Sequence, residues 1–275
     1  MGGDHALTAG AARHRSIGPG LRGDLLSHRR YRGDGRLNEF EGTIVLKTFN
    51  EELDRRISGI PLPSLILIEG PNDSGKSVLL YHLLNGCVRL GQRACLFSSE
   101  GGGKVLVESM RNLGLETQRY YLSGDLTIIP FGLDQLEVSP ETLKRILGYL
   151  LAYFRKRGDK FALYAVDSLT LLITGLQEKD TLAFFSDVRE LRERSGLSFV
   201  FTIHPYSFSQ DFMVRLRSMA DVHLSLNIRE VSGQILKTLQ VLKVRGANKA
   251  TGDVITFEVE PGFGIKVLPY TQVRV

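Results

Sequence analysis

Apolar and polar positions along this chain switch repeatedly between two periods. Leu65-Ile66-Leu67-Ile68 is a short unbroken apolar run, set off by Pro61-Leu62-Pro63-Ser64 and ending at Glu69-Gly70. A run of that length closed by glycine predicts a strand buried on both faces. Over residues 78–89 the period lengthens, and Leu79, Leu80, Leu83 and Leu84 make the inward stripe of a helix that Gly91 closes. The exchange then repeats. Strands are predicted at 94–97, 126–131, 161–166 and 197–203, with a turn-rich Gly132-Leu133-Asp134 after the second of these. Helices are predicted at 104–113, 140–157, 181–194 and 210–219. The 140–157 segment is the plainest, with Leu143, Ile146, Leu147, Leu150, Leu151 and Phe154 spaced along one face.

Strands alternating with helices predict an α/β fold, a mainly parallel sheet flanked by helices. From Val222 the helices stop. Short strands at 223–228, 236–243, 255–258 and 264–268 then predict an antiparallel extension at one sheet edge. Residues 38–60 read only as a lead-in to this domain.

Charge changes the picture at one end alone. The chain has 275 residues and a formal charge of +5, but residues 1–37 carry seven Arg against three Asp. That Gly- and Arg-rich stretch lacks the apolar residues needed to offset ordering entropy, so it reads as a disordered basic tail. The domain is then 38–275, and its charge nearly balances, which gives no bulk argument for a polyanion partner. No apolar run reaches the roughly 18 residues that span a bilayer. The tail lacks the apolar stretch of a signal peptide, so a cytoplasmic location is expected. Cys87 and Cys95 have no metal-type spacing and read as small buried hydrophobes.

The chemistry lies in Gly70-Pro71-Asn72-Asp73-Ser74-Gly75-Lys76-Ser77, a full G-x-x-x-x-G-K-[ST] string between a predicted strand and a predicted helix. Its glycines permit a tight turn whose N–H groups face phosphate oxygens, and the helix adds its positive end. Lys76 is expected to reach the β- and γ-phosphates, and Ser77 to ligate Mg²⁺. Asp167, closing the strand Phe161-Ala162-Leu163-Tyr164-Ala165-Val166, is the candidate acid of a second motif, expected to hold Mg²⁺ through water. Glu100, after the 94–97 strand, is the candidate that positions water, because strand ends of a parallel sheet share one rim. Thr202 and His204 end another strand and are candidate γ-phosphate sensors. Lys243 and Arg245 share a strand face and could reach a phosphate in this subunit or a neighbouring one.

Together with Gly59-Ile60-Pro61, Ser99-Glu100, Val166-Asp167-Ser168, Lys243-Val244-Arg245-Gly246 and the ending 256–267, these motifs resemble the RecA-like ATPases of the KaiC type. More narrowly, they resemble the ATP-binding component of archaellum motors. The resemblance covers about residues 40–275. It implies a RecA-like domain able to form hexameric rings, ATP at the subunit edge, and Lys243 and Arg245 reaching the neighbour's nucleotide. It also implies partners, the motor's secretion-type ATPase and its membrane platform protein, with the chain peripheral to the membrane through that complex. It implies slow or absent turnover as well. Ser99-Glu100-Gly101 agrees, offering one acid where hydrolysing KaiC-type proteins often carry two. A DNA-acting RecA-like recombinase or helicase is the alternative. It calls for basic, aromatic loops, whereas Tyr206-Ser207-Phe208-Ser209 has two aromatics and no Lys or Arg. A KaiC-like signalling kinase is a third reading, weakened by the lack of an evident second ATPase domain.

Overall fold

A computed structural model of the chain describes residues 44–132, 138–231, 234–246, 252 and 254–268. The chain divides into two units, Met1–Gly42 and Thr43–Val275, and every described element belongs to the second. The basic tail expected over residues 1–37 and part of the Gly132-Leu133-Asp134 turn lie outside the described residues.

Four of the predicted strands form the parallel centre of one sheet. They are β3 (Leu65–Glu69), β4 (Ala94–Ser98), β6 (Leu163–Asp167) and β7 (Ser198–Ile203), and every residue in them is buried. β5 (Leu126–Pro130) flanks β4. The late strands are β8 (Val222–Val231), β9 (Gln234–Val244), β10 (Val254–Glu260) and β11 (Gly264–Val267). The nine run in the order β11-β10-β9-β8-β3-β7-β6-β4-β5. β8 is parallel to β3 and antiparallel to β9, so it joins the parallel centre to the expected antiparallel extension.

Alternation along each strand divides the core into two layers. Leu65 and Leu67 face one side, against α5 (Pro140–Lys156), α7 (Glu178–Ser195) and α8 (Gln210–Met219). Ile66 and Ile68 face the other, against α2 (Lys76–Arg89) and α3 (Gly103–Asn112). Each fully buried Leu or Ile contributes about 1.5–3 kcal/mol, so both faces of β3 anchor the loop that follows it. Cys87 and Cys95 fall in opposite layers as free, buried thiols, each pushed up to about 12 by burial.

Several short elements go beyond the sequence reading. The lead-in folds as β1 (Ile44–Leu46), α1 (Glu51–Ile57) and β2 (Ile60–Leu62), with β1 and β2 pairing as a separate two-stranded ribbon. Asn50 caps α1 by accepting from the Leu53 N–H. Two small helices, α4 (Gln118–Ser123) and α6 (Thr170–Ile173), fill connections. Among the described residues no helix is long and apolar enough to cross a membrane.

Candidate functional site

The carboxyl ends of β3, β7, β6 and β4 lie side by side, and the candidate residues gather there. Gly70 leaves β3 with its N–H donated to the Ile203 carbonyl (3.2 Å). A side chain at Gly70 would collide with the Leu226 carbonyl at 2.6 Å, so glycine lets the loop pass tightly over β8. Gly75 opens α2 at φ +96, with Phe257 of β10 packed against it. The loop between them and the start of α2 wrap a cavity of about 500 Å³. Asn72, Asp73, Lys76, Ser77, Glu100 and Asp167 all line it, as do Ser168 and His204.

Lys76 is held in the cavity by its own loop, donating to the Pro71 carbonyl (2.6 Å). Burial pushes its ammonium down to about 8, against the attraction of Asp167, Glu100 and Asp73. Asp167 ends β6 almost fully buried. Its Oδ1 accepts from the Thr202 hydroxyl (2.5 Å), while Oδ2 has no hydrogen-bond partner. Burial raises its pKa; the hydroxyls of Thr202 and Ser77 and the charge of Lys76 pull it back. A buried carboxylate oxygen without a donor, beside a serine hydroxyl, is a hard oxygen set suited to Mg²⁺. Ser77 and Asp167 therefore fit the metal role assigned to them.

Ser99 knits two strand ends together. Its N–H donates to the Asp167 carbonyl (2.8 Å), and its hydroxyl accepts from the Ser168 N–H (3.3 Å). The next residue, Glu100, is thereby set on the same rim. Its pKa is raised by burial first and by the Asp167 charge second, with Lys76 opposing. A carboxylate whose pKa is raised by its surroundings, set on this rim, is placed to handle a proton on water.

The two sensor candidates separate. His204 lines the cavity with Nδ1 3.4 Å from the Lys76 Nζ. Thr202 does not reach it; it is fully buried and its hydroxyl orients Asp167. Lys243 and Arg245 also lie away from this chain's cavity. Lys243 donates to the carbonyls of Ser218 and Ala220, and Arg245 pairs with Asp221 at 3.2 Å. Of the two expectations for this pair, only the reach toward a neighbouring subunit is left. The loop weighed for nucleic-acid stacking offers one exposed ring, Tyr206, because Phe208 packs against Phe212.

Sequence reading missed three residues of the late strands that build the site. Leu226 walls Gly70 and Phe257 walls Gly75, while Lys237 of β9 lines the cavity and donates from Nζ to the Asp73 carbonyl. One signal was available for Lys237: alternation places it on the inward face with Leu239 and Val241, where a charge is out of pattern.

A second pocket of about 500 Å³ adjoins the first and shares Ser77, Val78, Glu100 and Val259 with it. Tyr81, Val105, Leu106 and Pro261 give it an apolar lining suited to a flat base. A larger cavity, about 870 Å³, lies between α1, the second half of α2 and β11, away from the phosphate loop.

A family model described as "ATPase: KaiC" matches residues 46–272. The Archaeal flagellar ATP-binding protein FlaH of Sulfolobus acidocaldarius is 31% identical over 231 residues, 84% of this chain and all of that one. The chain belongs to the FlaH family of KaiC-like ATPases. FlaH of Methanocaldococcus jannaschii is 26% identical, covering 79% of this chain and 92% of its own. A crystal structure of the flagellar accessory protein FlaH from that organism shares the fold, with a TM-score of 0.70 at 24% identity over 83% of this chain. The circadian clock oscillator protein KaiC of Prochlorococcus marinus is 24% identical over 189 residues, and there the chain spans 36% of the relative. The α/β, RecA-like fold read from the sequence is borne out.

Proposed function

We propose that this protein binds ATP with Mg²⁺ and serves as the ATP-gated component of an archaellum motor. One observation carries the binding reading: Lys76, Ser77, Asp167 and Glu100, from three separate segments, converge on one cavity behind a phosphate loop. The adjoining apolar pocket gives a base somewhere to lie. The metal would be held by Ser77 and Asp167, and would neutralise charge on the phosphates. The motor role is supported by relatives named archaeal flagellar ATP-binding proteins, matched along most or all of their length.

In this reading occupancy controls assembly with the motor's secretion-type ATPase and membrane platform protein, and the chain sits in the cytoplasm, held at the membrane through them. Hydrolysis is slow or absent, because Glu100 alone follows β4 to position water. Subunits assemble into a ring, hexameric in KaiC fashion, the arrangement that gives Lys243 and Arg245 a neighbour's phosphate to meet. The deciding experiment is titration calorimetry with MgATP on wild type and Lys76→Ala, followed by capture of the two motor proteins with and without ATP. Loss of binding in the variant and ATP-dependent capture by wild type are expected. Unaltered ATP affinity in Lys76→Ala refutes the site, and capture indifferent to ATP refutes the gating.

A further inference from the structure

We propose that Lys237 is a second phosphate-binding cation of the nucleotide site, supplied by strand β9 of the same chain. This rests on the ATP-binding reading above and adds to it a residue outside the phosphate-loop motif.

Three observations converge on it. Lys237 lines the cavity with Lys76, Ser77, Glu100 and Asp167, although it is 160 positions beyond the loop in sequence. Its Nζ donates to the carbonyl of Asp73, at the crown of the loop where the backbone turns through φ 58. An ammonium has three donors, and that contact uses one. Among the described residues no carboxylate pairs with it.

Charge balance gives the lysine a purpose. The cavity walls carry three carboxylates, Asp73, Glu100 and Asp167, against Lys76 alone if Lys237 is set aside. A site for a polyphosphate cannot be rich in negative charge without cations to match it. Mg²⁺ would answer Asp167, and Lys76 one further charge. Lys237 supplies the next.

The strand also holds the lysine in readiness. Lys237 pairs in register with Ile228 of β8 on one side and Phe257 of β10 on the other. Phe257 is the residue packed against Gly75, so the strand position that carries the cation is braced directly on the loop. A group held this close to its target before binding loses little freedom on contact. With polyphosphate present, Nζ exchanges part of its contact with the Asp73 carbonyl for phosphate oxygen.

The test uses full-length protein and the variants Lys237→Gln and Lys237→Arg, with MgATP affinity measured by calorimetry across a salt series. Lys237→Gln should weaken MgATP binding about tenfold and flatten its salt dependence, because one screened charge contact is gone. Lys237→Arg should restore affinity to within about threefold. A lysine that merely braces the loop would lower the melting temperature of nucleotide-free Lys237→Gln and leave the salt dependence as in wild type. That result, or a Lys237→Gln affinity within twofold of wild type, overturns the proposal. Failure of the parent reading looks different: wild type itself would not bind MgATP, or Lys76→Ala would bind it as well as wild type.

Discussion

The Nδ1 of His204 stands 3.4 Å from the Nζ of Lys76. Two basic groups that close disfavour each other's protonated forms. Burial lowers Lys76 to about 8; burial and then the Lys76 charge lower His204. Near pH 7 the pair therefore holds a lysine ammonium and a neutral imidazole that can accept from it.

ATP affinity should follow from that balance. Phosphate favours the Lys76 ammonium and raises its pKa in the complex, so above about pH 8 binding must take up a proton. Affinity should fall as pH rises past about 8, by up to about tenfold per unit. Calorimetry at pH 9 in buffers of different ionisation enthalpy should show uptake of about one proton. Affinity that is flat from pH 7 to 9.5 would contradict the depressed lysine.

Asp167→Asn should separate binding from stability. The folded carboxyl titrates above its ordinary value. The folded state therefore holds the proton more tightly than the unfolded chain. Stability from this group is present at low pH and is lost as pH rises through the folded pKa, leaving a buried charge that Lys76 and the Thr202 and Ser77 hydroxyls compensate only in part. Removing that charge, while an amide oxygen still accepts from Thr202, should raise the melting temperature of nucleotide-free protein by about 2–6 °C. The same variant should lose the Mg²⁺-dependent part of ATP affinity. A lower melting temperature, or an intact Mg²⁺ dependence, counts against this account of Oδ2.

Glu100→Gln tests water positioning without disturbing the phosphate loop. Any turnover above background in wild type should drop at least about a hundredfold. MgATP affinity should stay within about threefold, since Glu100 has no hydrogen bond to the loop among the described residues. Undiminished turnover would remove Glu100 from the chemistry.

Gly86→Ala reverses a common rule. Within a helix that change ordinarily stabilises by about 0.5–1 kcal/mol. Here a Cβ would lie 1.8 Å from the Lys47 carbonyl, where the β1–α1 connection crosses α2. A loss of about 2–4 kcal/mol is expected, read as a lower urea midpoint at unchanged slope. A gain in stability would show that the crossing is looser than described.

The parallel centre of the fold was legible because its strands and helices each keep one period long enough to read. What escaped was short or non-local. β2 contains Pro61, which reads as a break, and α4 has no buried residue to mark a stripe. The phosphate loop, Asp167 and Glu100 could be placed because strand ends of a parallel sheet share a rim. Thr202 was misjudged because strand-end position does not say which face a side chain takes. Lys237 was missed because its role depends on β9 folding back beside β8, which no local pattern near the loop encodes; only its place on an otherwise apolar face of β9 hinted at it.

The loop's walls also set an order of events. On a ribosome, Gly70–Ser77 emerges about 190 residues before Phe257, a wait of roughly 10–40 s at 5–20 residues per second. Throughout that interval Gly75 lacks its aromatic support, and for most of it the edge of β3 that pairs with β8 is open. Nucleotide can meet the fully walled loop only after Phe257 has emerged. A product terminated before Phe257 would carry the complete loop motif without the β10 wall behind Gly75, so the site is assembled in full only after the closing strands are made.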